Sequence, residues 1–333
     1  METQTSSGKN WTAIVIVIVI VILAAIGGYV YSKGGLSGLS SSGKLSGPEK
    51  TIQDSIAQFV SNDSSVEYDG SVKFEVSAED YKPLIKDKGI EDAYKSLVPG
   101  KTLDVNQITI NTSGLLTGTE EKPRVNLSLS LLDHAKALFQ ADIRVIETMA
   151  YARFNLSIAT PYDALKNKWI QIDYSQQAAT DAKKEDQAKQ VIEAIKKESI
   201  IDVTKELPSE QINGEDTLHY EFVIDADGLA SLIQEIAKIT GSTPDDNAIE
   251  MAKKSIKNAN ERGEIWIGKT SNMPLRLVFE TPLSAKEENG SMKERGKAII
   301  TLNFKNFGST ATVEEPTGAI TSQEAIQLLL GGM

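Results

Sequence analysis

An alternation of apolar and polar residues with a period of two constrains this fold most. From Val66 to Val76 every second residue is apolar or glycine, and the residues between are charged or small. The same alternation recurs over 125–131, 150–158 and 170–174. A period of two sends successive side chains to opposite faces of a strand. One-sided alternation in several segments predicts an antiparallel sheet with one apolar and one polar face.

Further strands are predicted later in the chain, with turns and one irregularity between them. Strands over 264–268, 275–280 and 297–304 are expected to close the sheet. Asn213–Gly214 and Asn289–Gly290 predict hairpins, since this pair favours tight two-residue turns. The apolar positions before and after Asn106–Gln107 are out of phase, which predicts a β-bulge there.

Helices are predicted at both ends of the chain and in its second half. Ser46, Pro48 and Glu49 have the spacing of a helix start, and Thr321 with Glu324 forms a capping box. Asp225 is expected to cap a helix that ends at Gly241. Apolar residues at helical spacing follow or precede these signals in every case, and also mark helices over 188–195 and 243–256. We see no domain boundary within 48–333, so one α+β domain is expected.

The run from Trp11 to Tyr31 has no ionisable residue and predicts a transmembrane signal anchor. Its length matches the roughly 20 residues that cross a bilayer. Aromatic residues lie at both ends, as in membrane-interface belts. The anchor residues are Trp11, Ile14, Ile18, Ile22, Tyr29 and Tyr31. A cleaved secretory signal is the alternative, because small residues follow the apolar block.

The predicted anchor divides the chain into four parts. Residues 1–10 are expected to stay in the cytoplasm, 11–31 to span the membrane, 32–47 to form a Gly/Ser linker, and 48–333 to be exported. The chain has no cysteine, which excludes disulfides and thiolate sites and favours a prokaryotic envelope. Its formal net charge is −11, so nucleic acid is not an expected partner.

Four stretches of the exported part resemble a known family. They are SVEYDGSVKFEVS (65–77), KWIQIDY (168–174), EIWIGKTSNMPLRLVFE (264–280) and IITLNFKNFGSTATVEEP (299–316). With the order of helices and strands, they resemble the LolA/LolB and LppX/LprG superfamily of envelope lipid and lipoprotein carriers. The resemblance implies a curved antiparallel half-barrel with helices on its concave side, enclosing an apolar cavity for acyl chains.

The implied function is non-catalytic binding of a lipid, lipoprotein or other amphiphile. Large side chains on the long strands are the candidates for the cavity lining: Phe74, Leu127, Leu129, Phe154 and Leu156. Carriers of this kind are soluble or lipid-modified at cysteine, whereas this chain has a predicted protein anchor. Free diffusion between membranes is therefore not expected, and local hand-over is.

Two other function classes stay open on the sequence. One is an extracytoplasmic scaffold or sensor whose sheet packs solidly and has no ligand cavity. The other is an anchored hydrolase with an unrecognised site. His219 and Glu221, on one face of a predicted strand, could be metal ligands or an acid–base pair, but surface or cross-strand hydrogen bonding is the favoured interpretation; His134 is the other histidine. The run Asp225–Gly228 lacks the spacing of a calcium loop. No cofactor and no metal are therefore expected.

Overall fold

The described part of the chain is dominated by one open, curved and mostly antiparallel sheet. The structure is a computed structural model, which describes residues 47–61, 65–77, 80, 95, 104–119, 122–157, 163–173, 190–191, 193–195, 197–241, 249–250, 253, 256–257, 262–286 and 292–331. Among these residues no helix is long and apolar enough to cross a membrane. The predicted anchor at 11–31 and the Asn289–Gly290 turn lie outside them.

Thirteen strands of the described residues form the sheet, and one of them joins its two halves. The strands are β1 (Val66–Val76), β2 (Ile108–Thr119), β3 (Lys122–Asp133), β4 (Lys136–Ile146), β5 (Met149–Leu156), β6 (Ile170–Asp173), β7 (Ile201–Leu207), β8 (Gln211–Ile212), β9 (Glu215–Ile224), β10 (Arg262–Gly268), β11 (Pro274–Lys286), β12 (Met292–Lys305) and β13 (Ile320–Thr321). They follow the order β13-β6-β5-β4-β3-β2-β1-β12-β11-β10-β9-β7, with β8 on β9. Only the β13–β6 pair is parallel among the pairs described. The first strand, β1, lies between β2 and β12.

Among the described residues three helices are continuous, and capping signals lie at the ends of two of them. They are α1 (Gly47–Ser61), α2 (Ala226–Thr240) and α3 (Ser322–Gly331). The Asp225 side chain accepts a hydrogen bond from the Asp227 amide at the start of α2. Gly241 ends that helix in the left-handed conformation, with φ of 72°. Both predicted caps are therefore confirmed.

The prediction of a β-bulge at Asn106–Gln107 is wrong. Residues Val105–Gln107 form a 3-10 turn, capped by Asp104, that leads directly into β2. The Asn106 side chain bonds the main chain of Val76, accepting from its N–H at 2.7 Å and donating to its carbonyl at 2.8 Å. The change of phase in the sequence therefore marks the join between a turn and a strand. A β-bulge would have needed continuous pairing across it.

Helix α1 covers the β9–β10–β11 part of one sheet face, which we call the helix face. Ile52 of α1 packs against Tyr220 and Phe222 of β9 and Ile265 and Ile267 of β10. All five are buried, and Phe222 and Ile267 are fully enclosed. Apolar burial of this extent is the main stabilising contribution to a domain of this size.

The opposite face carries a segment without helix or strand, residues 306–319, which we call the strap. It runs from the end of β12 across the other half of the sheet to β13. Hydrogen bonds attach the strap along the sheet. They join Gly308 to Ser65, just before β1, and then Ala311 to Thr117, Val313 to Arg124, Glu314 to Arg144 and Glu315 to Tyr151. Val313 and Pro316 of the strap are buried. The face beneath it is the strap face.

Candidate functional site

Over residues 125–131, 139–145, 150–156 and 170–172, strands β3 to β6 present only apolar side chains on the helix face. The pairing places Leu127 opposite Ile143, Ile143 opposite Ala152, and Ala152 opposite Ile170, so one row crosses all four strands. Neighbouring rows are apolar as well. The full set, which we call the open patch, is Val125, Leu127, Leu129, Leu131, Phe139, Ala141, Ile143, Val145, Ala150, Ala152, Phe154, Leu156, Ile170 and Ile172.

Three residues of the open patch are more exposed than two polar residues on the opposite face of the same strands. Leu129, Ile143 and Ile172 are 39%, 40% and 47% exposed. On the strap face of the same strands, Asp142 is 6% and Tyr151 is 2% exposed. Apolar side chains are normally the buried ones, so this inversion is informative. In this half of the sheet the strap covers the polar face, and the apolar face stays accessible.

The size of the open patch follows from strand geometry. Four strands about 4.8 Å apart span about 14 Å, and three steps of two residues span about 20 Å. The resulting footprint is about 290 Å². An apolar surface of about this size or larger on a monomeric protein is often a binding site.

Alanines form a shallow channel through the open patch. Ala141 on β4 and Ala152 on β5 are diagonal neighbours, because Ala141 pairs with Phe154 and Ile143 pairs with Ala152. Ala150 continues the line along β5. Larger side chains flank it on both sides: Leu129, Ile143 and Val145 on one, Phe154, Ile170 and Ile172 on the other. A floor of methyl groups between such flanks can hold an extended hydrocarbon chain in van der Waals contact.

The space under α1 is filled by contrast. A cleft between α1 and β7 is lined by Ile52, Gln53, Ile56, Ile200 and Ile201, together with Glu49 and Ile195. It encloses only about 10 Å³, room for no more than about one water molecule. Gln53 closes it by donating to the carbonyls of Ile195 and Glu198 at 2.5 and 2.7 Å. This cleft has no room for a lipid, so the open patch is the candidate site.

A half-buried ion pair on the strap face holds β4 and β5 together beneath the open patch. Arg153 donates to Asp142 from Nε at 3.1 Å and from a terminal nitrogen at 2.8 Å. Ser128 of β3 donates to the same carboxylate at 2.6 Å. Burial works to raise the pKa of Asp142, but the hydrogen bonds from Ser128 and Arg153 outweigh it, so this pKa lies below its usual value. These bonds fix the strands that carry the channel.

A second buried group attaches the strap to β5. The Tyr151 hydroxyl donates to the Glu315 carboxylate at 2.6 Å. Burial, and then the hydrogen bond to Glu315, raise the pKa of Tyr151 to about 12. Trp169 lies close by, between the guanidinium groups of Arg144 and Arg153, at 4.9 and 4.6 Å from their central carbons.

Four of the five predicted lining residues lie in the open patch. Leu127 and Leu129 of β3 are there, as are Phe154 and Leu156 of β5. Phe74 is on the same face but on β1, where it packs against a cluster of Val76, Leu283 and Ala298. Their contact with a ligand stays a prediction.

Sequence reasoning missed the part of the open patch on β4. Phe139, Ala141, Ile143 and Val145 alternate with Gln140, Asp142 and Arg144, so the period-two signal was present in the sequence. The exposure of Ile143 had no such signal, because it depends on which distant segment covers each face.

The candidate catalytic residues form ordinary structural contacts. His219 is buried, stacks on Trp266 with ring centroids 4.0 Å apart, and bonds Glu264 through Nε2 at 2.9 Å. Glu221 accepts a hydrogen bond from Thr204. His134 is exposed in the β3–β4 turn. Within the described ranges no group of three histidine, cysteine or acidic side chains is placed to hold a metal ion.

Comparison with known proteins gives a structural likeness and no sequence match. No protein-family model matches the chain, and no curated protein is similar to it in sequence. The structure is similar to that of the Mycobacterium tuberculosis lipoprotein LppX, with a TM-score of 0.36 and 11% identity over 81% of this chain and 100% of that one. An alignment with the structure of an N-terminal dehydratase from the difficidin assembly line covers 85% of this chain and 89% of the dehydratase chain. Its TM-score is 0.13 and the sequence identity is 8%.

Proposed function

We propose that the chain binds a lipid or another amphiphile on the open patch without catalysing a reaction. The observation that carries the proposal is the exposure of Leu129, Ile143 and Ile172 on the apolar face of β3 to β6, while Asp142 and Tyr151 on the opposite face are buried. A monomer gains nothing in stability from leaving such a surface in water. An apolar ligand that covers it removes that unfavourable exposure.

The energetics favour a ligand with more than one hydrocarbon chain. Full burial of a CH₂ group is worth about 0.8 kcal/mol, so a chain lying against one surface gains about half of that. Ten CH₂ groups then give about 4 kcal/mol, which corresponds to a millimolar dissociation constant. Two chains side by side give about 8 kcal/mol, which is micromolar. The footprint is wide enough for two.

The proposal includes the location that the sequence predicts. An anchor at 11–31 in a prokaryotic cell membrane and a linker at 32–47 would hold the domain outside the cytoplasm. A flexible linker of this length has a root-mean-square span of about 22 Å and a maximum reach of about 55 Å. The open patch would therefore work close to the bilayer that holds the anchor.

Photo-crosslinking in membranes tests the proposal on the full chain. A fatty acid with a diazirine group is added to membranes that contain the protein, illuminated, and its adducts are mapped by mass spectrometry. We expect adducts on the helix face of β3 to β5. Adducts on the segment 11–31 serve as the internal standard for labelling within the bilayer.

Two neighbouring substitutions on β3 provide matched variants. Leu129→Asp places a carboxylate in the open patch, and Ser130→Asp places one on the opposite face of the same strand. The first should lower the adduct yield on the patch at least about tenfold, because it buries a charge against hydrocarbon. The second should leave it unchanged. Equal yields in both variants, or adducts confined to 11–31, would refute the proposal.

A scaffold or sensor that binds protein is the second candidate. The filled space under α1 favours it at that end of the sheet. It predicts no fatty-acid adduct on β3 to β5 under the same conditions.

A further inference from the structure

Helix α3 has a wider apolar arc than its packing on the sheet uses. Residues of an α-helix follow one another at 100°. Ala325 and Leu329 therefore lie within about 40° of each other, and Ala325 is buried. Ile326 and Leu330 continue this arc to about 140° and are 57% and 64% exposed. Half of the apolar arc faces the protein and the other half faces outward.

The rest of the α3 surface carries almost no charge. The helix sequence SQEAIQLLLG contains no lysine or arginine, and its polar arc is formed by Gln323 and Gln327. Its one carboxylate, Glu324, is engaged in the cap, where it accepts hydrogen bonds from the Thr321 amide and hydroxyl at 2.8 and 2.9 Å. A surface of this composition attracts neither a basic nor an acidic partner by charge.

Helix α3 and the open patch share strand β6. Helix α3 packs against β6, β13 and the 3-10 turn at Asp163–Leu165. Strand β6 is also the last strand of the open patch, where Ile172 is 47% exposed. The two apolar surfaces therefore belong to the same end of the sheet.

We propose that α3 is a membrane-contact helix, whose outer arc inserts Ile326 and Leu330 into the interface of the bilayer to which the chain is anchored. The inference rests on the proposed anchor at 11–31, which brings a bilayer within reach of the linker. A helix with an apolar arc lies in the plane of the interface with that arc among the acyl chains. The open patch then meets the bilayer at its β6 edge, where an amphiphile can pass between the two without crossing water.

The composition of α3 dictates how this contact should respond to salt and lipid charge. Insertion driven by apolar burial alone is insensitive to ionic strength, whereas electrostatic docking weakens as salt rises. We therefore expect the contact on vesicles of neutral phosphatidylcholine, and we expect it to persist at high salt.

Single cysteines test the contact, since the chain has none of its own. Full-length protein carrying Ile326→Cys or Leu330→Cys is labelled with an environment-sensitive dye and reconstituted into phosphatidylcholine vesicles containing doxyl-labelled lipid. The control is Leu328→Cys, which lies on the opposite flank of the same helix and is 39% exposed. We expect the doxyl lipid to quench the dye at 326 and 330 at least about threefold more than at 328, with or without salt.

The outcomes separate failure of the contact from failure of its premises. Flotation of the vesicles first shows whether the protein is anchored, and the fatty-acid crosslinking described above reports on ligand binding independently. Anchored protein with equal quenching at 328 and 330 would overturn the proposal. So would a dye at 330 that is shielded in detergent without lipid, because a second copy of the chain or another protein would then cover the helix.

Discussion

Two isoleucines at the centres of strands provide a direct comparison of the covered and open halves of the sheet. Ile265 on β10 lies under α1 and is 1% exposed, whereas Ile143 on β4 lies in the open patch and is 40% exposed. Truncation of a fully buried isoleucine to alanine costs about 2–5 kcal/mol, since a cavity remains. Ile265→Ala should therefore lower the free energy of unfolding by an amount in that range.

The same truncation in the open patch should cost much less. Ile143→Ala removes three carbon groups, worth about 2.4 kcal/mol if fully buried. With 40% of the side chain already in water, about 1.4 kcal/mol remains, and no closed cavity forms. We expect a difference of about 1–3 kcal/mol between the two variants.

Urea unfolding of the full chain in mild detergent, followed by tryptophan fluorescence, measures both values. The slope of the free energy against urea should match in the two variants, because each exposes the same surface on unfolding. Equal costs for Ile143→Ala and Ile265→Ala would refute the claim that the apolar face of β4 is accessible. A saturating amphiphile should stabilise the wild-type protein more than the Ile143→Ala variant.

Two further variants test the packing beneath the open patch and at the start of α2. Asp142→Asn should destabilise the protein near pH 7 and lose that effect in acid. Folding lowers the pKa of Asp142, so the carboxylate stabilises the folded state above its unfolded pKa of about 3.9. This stabilisation disappears as the pH falls through the pKa of the folded state. Urea unfolding near pH 7 and in acid measures the free energy of unfolding of both proteins. A difference between wild type and variant that does not change with pH would contradict the prediction. Gly228→Ala should lower the melting temperature by several degrees, because a Cβ there would lie 1.7 Å from the Ser199 carbonyl oxygen; an unchanged melting temperature would show that α2 can move away.

Local sequence signals predicted much of the fold. The alternating segments correspond to β1, β3, β5 and β6, and the asparagine–glycine turn lies between β8 and β9 with positive φ at both residues. The capping box of Thr321 and Glu324 is present at the start of α3. Each of these depends on residues within four positions of one another, which is the range over which side chains direct the main chain.

The arrangement that defines the candidate site could not be read in the same way. The strap has no periodic pattern, because its contacts are hydrogen bonds from distant side chains to its main chain, such as Arg124 to Val313. Which half of the sheet α1 covers depends on contacts between Ile52 and residues more than 160 positions away. Sequence alternation therefore identified Leu129 and Phe154 as apolar-face residues but could not show which face would be covered.

The position of β1 has a consequence for how the molecule assembles. The strands from β2 to β5 and those from β10 to β12 can each form by pairing neighbours in the sequence. Tyr68 of β1, however, must pair with Phe304, near the other end of the chain. Pairing across such a separation carries a large loop-closure entropy and is slow. During synthesis one edge of β1 would stay unpaired until β12 emerges, so chaperones would have their longest access to the chain at that edge.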